Sequence, residues 1–135
     1  MRFNLIAELK AEHRYMLDHV QQIQSLGIDS TEGSLLLNQI KDTLLKHLEK
    51  EDRELYPLLN QKAKADQSLK GLLQRMYEEM IEISTFVTSF FTKYTENPTH
   101  PDLRSEFSQL DQQLTKRIRM EEITLYEQFN RLSAR

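Results

Sequence analysis

The sequence predicts an all-α protein, an up-down-up-down antiparallel four-helix bundle. Apolar residues recur every three or four positions along four long segments, which is the period of helices with one buried face. Only three glycines and three prolines occur among 135 residues, and Leu, Glu, Lys and Gln are abundant, as is typical of helices. The breaks between the segments are short, so consecutive helices should run antiparallel.

The first two helices are predicted from their apolar stripes. The first covers residues 4–26 and ends at Gly27, before a polar turn over residues 29–33. Its inner stripe consists of Ile6, Leu9, His13, Leu17, Val20 and Ile23. The second covers residues 34–63, and Pro57 should kink it or thin its hydrogen bonding near its end. Its inner stripe consists of Leu37, Ile40, Leu44, His47, Glu51, Leu55 and Leu58.

The third and fourth helices flank the clearest loop of the chain, residues 97–101. The third helix covers residues 67–95, with Asp66 as its expected N-cap. Its inner line consists of Leu69, Leu72, Met76, Met80, Ile83, Val87, Phe90 and Tyr94. The fourth covers residues 102–132. Its stripe consists of Leu103, Phe107, Leu110, Leu114, Arg117, Glu121, Leu125 and Phe129 or Gln128.

Length, charge and composition narrow the function classes. We expect a single domain over residues 1–135, because this length suits one continuous core. The net charge is −3 and no dense basic patch occurs, which argues against nucleic acid and membrane surfaces as partners. Charges throughout the N-terminal stretch argue against a secretory signal, and the longest uncharged apolar run, residues 83–92, is too short to span a bilayer. A cytoplasmic location is the expectation.

Charged and polar residues interrupt the apolar stripes near mid-height. His47 and Glu51 lie four residues apart and project from one face of the second helix. His13, Arg117 and Glu121 occupy inward positions on the first and fourth helices. Burying such groups without partners costs on the order of several kcal/mol, so a metal ion or other polar side chains must meet them. With no cysteine in the chain, any metal needs nitrogen and oxygen ligands, and imidazoles with carboxylates suit iron, manganese or zinc.

The chain also repeats itself. Shifting LLKHLEKEDRELYPLLNQ by 70 positions lays it on LTKRIRMEEITLYEQFNR, and a shift of 67 lays the first helix on the third. The aligned pairs include Leu44 with Leu114, Glu51 with Glu121, Leu55 with Leu125, Tyr56 with Tyr126, Glu12 with Glu79 and Val20 with Val87. We interpret this pattern as two helical hairpins related by a pseudo-twofold axis.

The runs LKAEHRYMLDHV and LLKHLEKEDRELYP resemble the hemerythrin-like, or HHE cation-binding, family, and the resemblance covers essentially the whole chain. It implies a bundle that holds two irons, with one His on helix one, His-x-x-x-Glu on helix two, one His on helix three and His-x-x-x-Glu on helix four. By position, it implies metal ligands at His13, His47, Glu51 and Glu121.

Two positions depart from that family pattern. Met80 stands where the third helix should offer His, and Arg117 stands where the fourth should. The repeat shifts align these residues with His13 and His47. One half of the di-iron site therefore keeps its ligands while the other half has lost both imidazoles. Oxygen carriage as the family performs it needs two irons, so we do not expect reversible dioxygen binding.

Two outcomes stay open for the cluster. Arg117 carries a permanent positive charge where the second metal's charge would be. Either one metal is bound by His13, His47 and Glu51 while Arg117 holds Glu121, or no metal is bound. In the second case, Arg, Glu and His form a coupled hydrogen-bonded cluster in which at least one imidazole tends toward its charged form.

The residues near the predicted ligands are interpreted first as core or surface positions and not as ligands. Met76 and Met80 should fill gaps in the core, because thioethers favour softer copper. Glu79 lies one position off the inner line and should face solvent, with inward rotation as a reserve ligand. Four further residues should lie at the flank of the bundle or beside a ligand that they could orient, namely Tyr15, His19, Tyr56 and Tyr126.

The sequence thus favours a non-catalytic hemerythrin-like domain that binds at most one transition metal, iron first, and serves sensing, metal handling or regulation. The alternative is a metal-free interaction or regulatory module with an unidentified protein partner. A di-iron enzyme is disfavoured because no Glu lies three residues before any of the four His, unlike the Glu-x-x-His sites of ferritin-like proteins. Phe86, Phe90 and Phe91 cover more than one face of the third helix, which leaves room for a homo-oligomer through it.

Overall fold

The computed structural model describes residues 4–133 as four antiparallel helical rods, which confirms the predicted all-α bundle. Its helices are α1 (Leu5–Leu26), α2 (Thr31–Lys50), α3 (Tyr56–Lys62), α4 (Gln67–Glu96), α5 (Leu103–Ile123) and α6 (Leu125–Ser133), with a π-helical segment (Glu51–Leu55) between α2 and α3. Both α1 and α4 contact α2 and α5, so the rods form a closed ring around one core. Residues 1–3 and 134–135 of the predicted domain lie outside the described residues.

The helix ends follow local capping chemistry. Gly27 terminates α1 with φ 94°, as its position in the sequence predicted. α2 begins three residues earlier than predicted, because the Ser30 hydroxyl accepts a hydrogen bond from the Gly33 amide at 2.9 Å. Asp66 caps α4 as predicted, accepting from the Leu69 amide at 3.0 Å. None of the helices within residues 4–133 is long and apolar enough to cross a membrane.

The predicted stripes line the core, with local shifts. All eight predicted positions on α5 and α6 are buried when Phe129 rather than Gln128 is taken as the last. In α4 the stripe passes through Leu73 instead of Leu72, which is half-buried. In α3 it passes through Leu59 instead of Leu58. The wider turn of the π-helical segment explains the last shift, since it adds one residue before the buried face returns.

Two rods are distorted directly after an inward-facing glutamate. In the second rod the Tyr56 amide bonds to the Glu51 carbonyl, five residues back, and Pro57 follows without an amide hydrogen. In the fourth rod Thr124 interrupts the helix with φ −120° and ψ −76°, and its hydroxyl donates to the Met120 carbonyl. The prediction of one continuous fourth helix over residues 102–132 is therefore wrong at this residue.

The distortions bring a tyrosine into the core of each hairpin. Tyr56 and Tyr126 each follow a glutamate by five residues, a spacing that turns a side chain about 140° away from its partner on a regular helix. Here both tyrosines are buried, with exposed fractions of 2% and 0%. A π-helical turn in one rod and an interruption in the other thus have the same consequence for the centre of the bundle.

Candidate metal centre

Four predicted site residues meet at the centre of the bundle. His13 comes from α1, His47 from the last turn of α2, Glu51 from the π-helical segment and Glu121 from α5. One nitrogen or oxygen atom of each lies within 4.8 Å of the corresponding atoms of the others. All four residues are buried, so they form a compact polar cluster inside an apolar core.

The two imidazoles point the same ring nitrogen at each other. His13 Nε2 and His47 Nε2 are 3.1 Å apart. On the far side of each ring, Nδ1 lies 2.7 Å from Glu122 Oε2 in His13 and 2.8 Å from Glu12 Oε1 in His47. A carboxylate at Nδ1 fixes the ring orientation, so that Nε2, once deprotonated, directs its lone pair into the cluster, which is how histidine ligands are oriented. Both rings are therefore arranged as metal ligands.

Glu121 divides its two oxygens between the cluster and Arg117. Its Oε1 lies 3.0 Å from His13 Nε2 and 3.6 Å from His47 Nε2. Its Oε2 accepts a hydrogen bond from Arg117 Nε at 3.0 Å. The guanidinium also donates to the Tyr56 hydroxyl at 2.8 Å. Arg117 thus lies at the edge of the cluster and neutralises one side of a carboxylate whose other side faces the imidazoles.

Glu51 has an oxygen that no protein donor reaches. Its Oε2 lies 3.4 Å from His47 Nε2 and accepts from the Tyr126 hydroxyl at 3.0 Å. Among the side chains of residues 4–132, Glu51 Oε1 is the one buried nitrogen or oxygen without a hydrogen-bond partner. A buried carboxylate oxygen in this state is unfavourable unless a proton or a cation meets it. The cluster therefore has the donor set and the unmet need that fit a metal ion.

The pKa values of Glu51 and His47 indicate that both side chains bind protons when no metal is present. Burial, and then the charge of Glu121, raise the pKa of Glu51 to about 8. Burial would lower the pKa of His47, but hydrogen bonds to Glu12, Glu121 and Glu51 raise it well above its usual value. Protons on Glu51 and His47 thus supply the positive charge that a divalent ion would bring. The raised pKa of His47 agrees with the expectation of one imidazole tending toward its charged form.

The remaining carboxylates of the cluster stay ionised. Burial alone would raise the pKa of Glu121, but hydrogen bonds from both imidazoles and the Arg117 charge lower it well below its usual value. Burial would likewise raise the pKa of Glu12, but hydrogen bonds from His47 and Lys50 lower it. Lys50 lies 2.7 Å from Glu12, so the carboxylate behind His47 is itself anchored.

The positions of the lost imidazoles are filled in two different ways. Met80 is buried among apolar residues and offers no nitrogen or oxygen. Arg117 is buried and donates hydrogen bonds to Glu121 and to the Tyr56 hydroxyl. Glu79, the reserve ligand, is 58% exposed at its side chain and lies 3.8 Å from Arg117, outside the four-residue cluster. It does not replace a missing histidine in this arrangement.

Residues assigned to the flank fall into two groups. Tyr15 is 40% exposed and stacks near His19, which contacts Gln39 on the outside of the bundle. Tyr56 and Tyr126 instead lie inside and contact Arg117 and the ligand set respectively. On α4, Phe90 and Phe91 are buried and Phe86 is half-buried within this chain. These rings therefore pack inward, and a homo-oligomer through this helix stays a prediction.

Sequence reasoning missed the carboxylates behind the imidazoles. Glu12 precedes His13 in the chain but contacts His47, and Glu122 follows Glu121 but contacts His13. Each lies beside an inward position, at the border of the buried stripe, where a side chain can reach the neighbouring helix. The available signal was an acidic residue directly beside His13 and another directly beside Glu121.

Comparison with known families agrees with this geometry. Residues 4–129 match the model of the family described as Hemerythrin HHE cation binding domain. No curated protein and no solved structure matches the chain significantly.

Proposed function

Because the chain belongs to the hemerythrin HHE cation-binding domain family, we propose that it binds a single iron ion at the centre of its bundle. His13, His47, Glu51 and Glu121 would hold the ion. The observation that carries this proposal is Glu51 Oε1, a buried oxygen without a partner beside two inward-facing imidazole nitrogens. Imidazole nitrogen and carboxylate oxygen together suit iron.

We expect one ion per chain and not two because of the residues in the other half of the cluster. Arg117 lies where a second ion would need a histidine, and its charge is permanent. A second cation beside the guanidinium would be repelled in a site of low dielectric constant. Met80 removes the remaining imidazole. The half that contains His13 and His47 keeps its ligands, and the half that contains Arg117 has an internal cation instead.

The proposed role is non-catalytic, in sensing, metal handling or regulation. Bound iron would supply a redox-active, Lewis-acidic centre. The chain's own groups would orient the two imidazoles through Glu12 and Glu122, neutralise Glu121 through Arg117 and shield the ligands in a buried core. A cleft of about 270 Å³ between α4 and α5 is lined by Arg117 and Glu79, and none of the four ligands lines it.

Anaerobic loading with ferrous iron, followed by metal quantitation, tests the proposal. We expect about one iron per chain, and loss of the bound iron in His47→Ala. The matched control is His19→Ala, which removes a surface imidazole and should leave the stoichiometry unchanged. About two irons per chain would contradict the single-metal proposal. Absence of bound iron in the unmodified protein would refute the metal site itself.

A metal-free interaction or regulatory module is the second candidate, and a specific observation favours it. Both oxygens of Glu121 and both nitrogens of each clustered histidine have protein partners without any metal. In this candidate Arg117 replaces the lost cation and the outer surface contacts a protein partner. Unchanged thermal unfolding after addition of iron, manganese and zinc would support it over the first.

A further inference from the structure

The hydroxyl of Tyr126 lies among the four ligand atoms. It is 3.1 Å from His13 Nε2, 3.0 Å from Glu51 Oε2 and 3.2 Å from Glu121 Oε1. The two imidazole Nε2 atoms are 3.1 Å apart, so the phenolic oxygen is as close to the ligands as they are to one another. The ring is fully buried, with an exposed fraction of 0%. An ion at the centre of the cluster would therefore meet five side chains.

The backbone and the neighbouring ring fix this orientation. The interruption at Thr124 turns Tyr126 toward the side of the helix that carries Glu121. The phenol ring then stacks on the His13 imidazole, with centroids 5.4 Å apart and planes inclined by 14°. A ring held between its backbone and a stacked neighbour has little freedom to move its oxygen away. The hydroxyl is preorganised toward the cluster.

The repeat provides a natural contrast. Tyr56 aligns with Tyr126, yet its hydroxyl accepts a hydrogen bond from Arg117 at 2.8 Å. Its ring meets Tyr77 edge-on, with centroids 5.1 Å apart. The oxygen of Tyr56 is thus committed to the guanidinium, while the aligned oxygen faces the imidazoles and carboxylates. The two tyrosines have the same sequence context and different chemical surroundings.

We propose that Tyr126 is a further ligand of the bound iron, coordinating as phenolate in the ferric state. This inference rests on the proposed iron site. Arg117 already pairs with one oxygen of Glu121, and the phenolate adds a negative charge that a trivalent ion offsets better than a divalent one. Dioxygen would take one electron from the bound ferrous ion, and the phenolic proton would be released to solvent as the iron–oxygen bond formed. A chain with this ligand set would favour ferric over ferrous iron, a property suited to a redox-responsive site.

Visible absorption and resonance Raman spectra of the iron-loaded, air-oxidised protein test the proposal. We expect a phenolate-to-iron(III) charge-transfer band with enhanced tyrosine ring vibrations. Tyr126→Phe should lose the band and still bind iron, because only the hydroxyl is removed and the ring that stacks on His13 stays. Tyr56→Phe is the matched control and should keep the band.

Iron quantitation on the same samples separates the two proposals. Bound iron without the band in the unmodified protein overturns the phenolate ligand and leaves the metal site standing. No bound iron overturns both. A band that survives in Tyr126→Phe overturns the assignment to this residue. If Tyr126→Phe fails to fold, Tyr56→Phe decides the assignment, because Tyr15, Tyr77 and Tyr94 make their contacts outside the cluster. A band that persists in Tyr56→Phe supports Tyr126 as the ligand. A band that is lost in Tyr56→Phe contradicts that assignment.

Discussion

The half-site around His47 and the half-site around Arg117 occupy equivalent positions in the two hairpins. In the first, His47 Nδ1 contacts Glu12 at 2.8 Å. In the second, Arg117 NH1 lies 3.8 Å from Glu79, the residue that the repeat aligns with Glu12. The same pairing of helices therefore occurs with a titratable imidazole in one half and a permanently charged guanidinium in the other. At the aligned positions, one half thus has a candidate ligand and the other half an internal ion pair between Arg117 and Glu121.

The first and third rods show the same divergence. His13 Nδ1 contacts Glu122 at 2.7 Å. The repeat aligns these residues with Met80 and Asp52. Met80 has no polar contact to offer, and Asp52 instead accepts a hydrogen bond from the Tyr77 hydroxyl at 3.0 Å. The carboxylate that aligns with Glu122 thus pairs with a tyrosine at the surface and not with an imidazole.

Restoring the lost imidazoles should produce the largest change. The double variant Met80→His with Arg117→His makes the second half match the first, removes the fixed cation and offers two new ligands beside Glu121. We expect iron capacity to rise from about one to about two per chain. Metal quantitation after anaerobic loading measures it, with helicity recorded by circular dichroism.

Each single variant serves as a control for the double. Met80→His alone keeps Arg117 and should leave the capacity at about one, because the guanidinium still repels a second ion. If the double variant folds and its capacity does not rise, the two halves are not equivalent in the way that the repeat indicates.

Removing the internal cation without replacing it should strongly destabilise the metal-free protein. Arg117→Leu leaves Glu121 buried beside Glu51 with no guanidinium. Breaking a buried pair by deleting one partner costs about 3–5 kcal/mol in the free energy of unfolding. Urea unfolding of the metal-free protein measures this loss. Arg119→Leu, an exposed position on the same helix, should change stability by less than about 0.5 kcal/mol. Equal effects of the two substitutions would show that Arg117 does not compensate the carboxylates.

The aligned glutamates Glu12 and Glu79 should respond unequally. Glu12→Gln removes the carboxylate that holds the His47 ring proton on Nδ1, and such changes lower metal affinity by roughly 10–100-fold. Glu79→Gln alters an exposed residue beside Arg117 and should leave iron affinity unchanged. Competition titration with a chromogenic chelator measures both. Similar affinities in the two variants would indicate that the orienting contact to His47 is dispensable.

The sequence predicted features that belong to a single regular helix, and it missed contacts between helices and local distortions of the backbone. Helical periodicity placed His13, His47 and Glu121 on inward stripes, because a stripe is a property of one helix read along the chain. The contact of Glu12 with His47 depends on how two helices face each other, which periodicity does not encode. The interruption at Thr124 lies in the backbone dihedral angles of one residue, which helical patterning does not reveal.

The inward positions of the two tyrosines were also missed because they depend on distortions of the helical backbone. Tyr56 and Tyr126 each follow an aligned glutamate by five residues, so the repeat indicates equivalent positions for the two tyrosines. Regular helical geometry, however, places neither of them on its glutamate's face. Only the distorted backbone after Glu51 and Glu121 brings Tyr56 and Tyr126 inward. Their inward position was therefore absent from a prediction built on undistorted helices.

The half-site with ligands should also make the stability of the metal-free protein depend on pH. The folded chain raises the pKa of Glu51 to about 8 and that of His47 above its usual value. Between about pH 5 and 8, the folded state therefore holds protons that the unfolded chain releases, and the free energy of unfolding falls as pH rises. The lowered pKa of Glu121 acts in the opposite sense, but only below its usual range.

Thermal unfolding of the metal-free protein across that range measures the slope. Glu51→Gln should flatten it, because the amide does not titrate, whereas Glu49→Gln, an exposed neighbour, should leave it intact. Metal ligands must shed the same protons, so iron affinity should rise over this range and iron should stabilise the fold most near its upper end. Stability of the metal-free protein that rises from about pH 6 to 8 would place the protons elsewhere and contradict the assignment of charge in this half of the cluster.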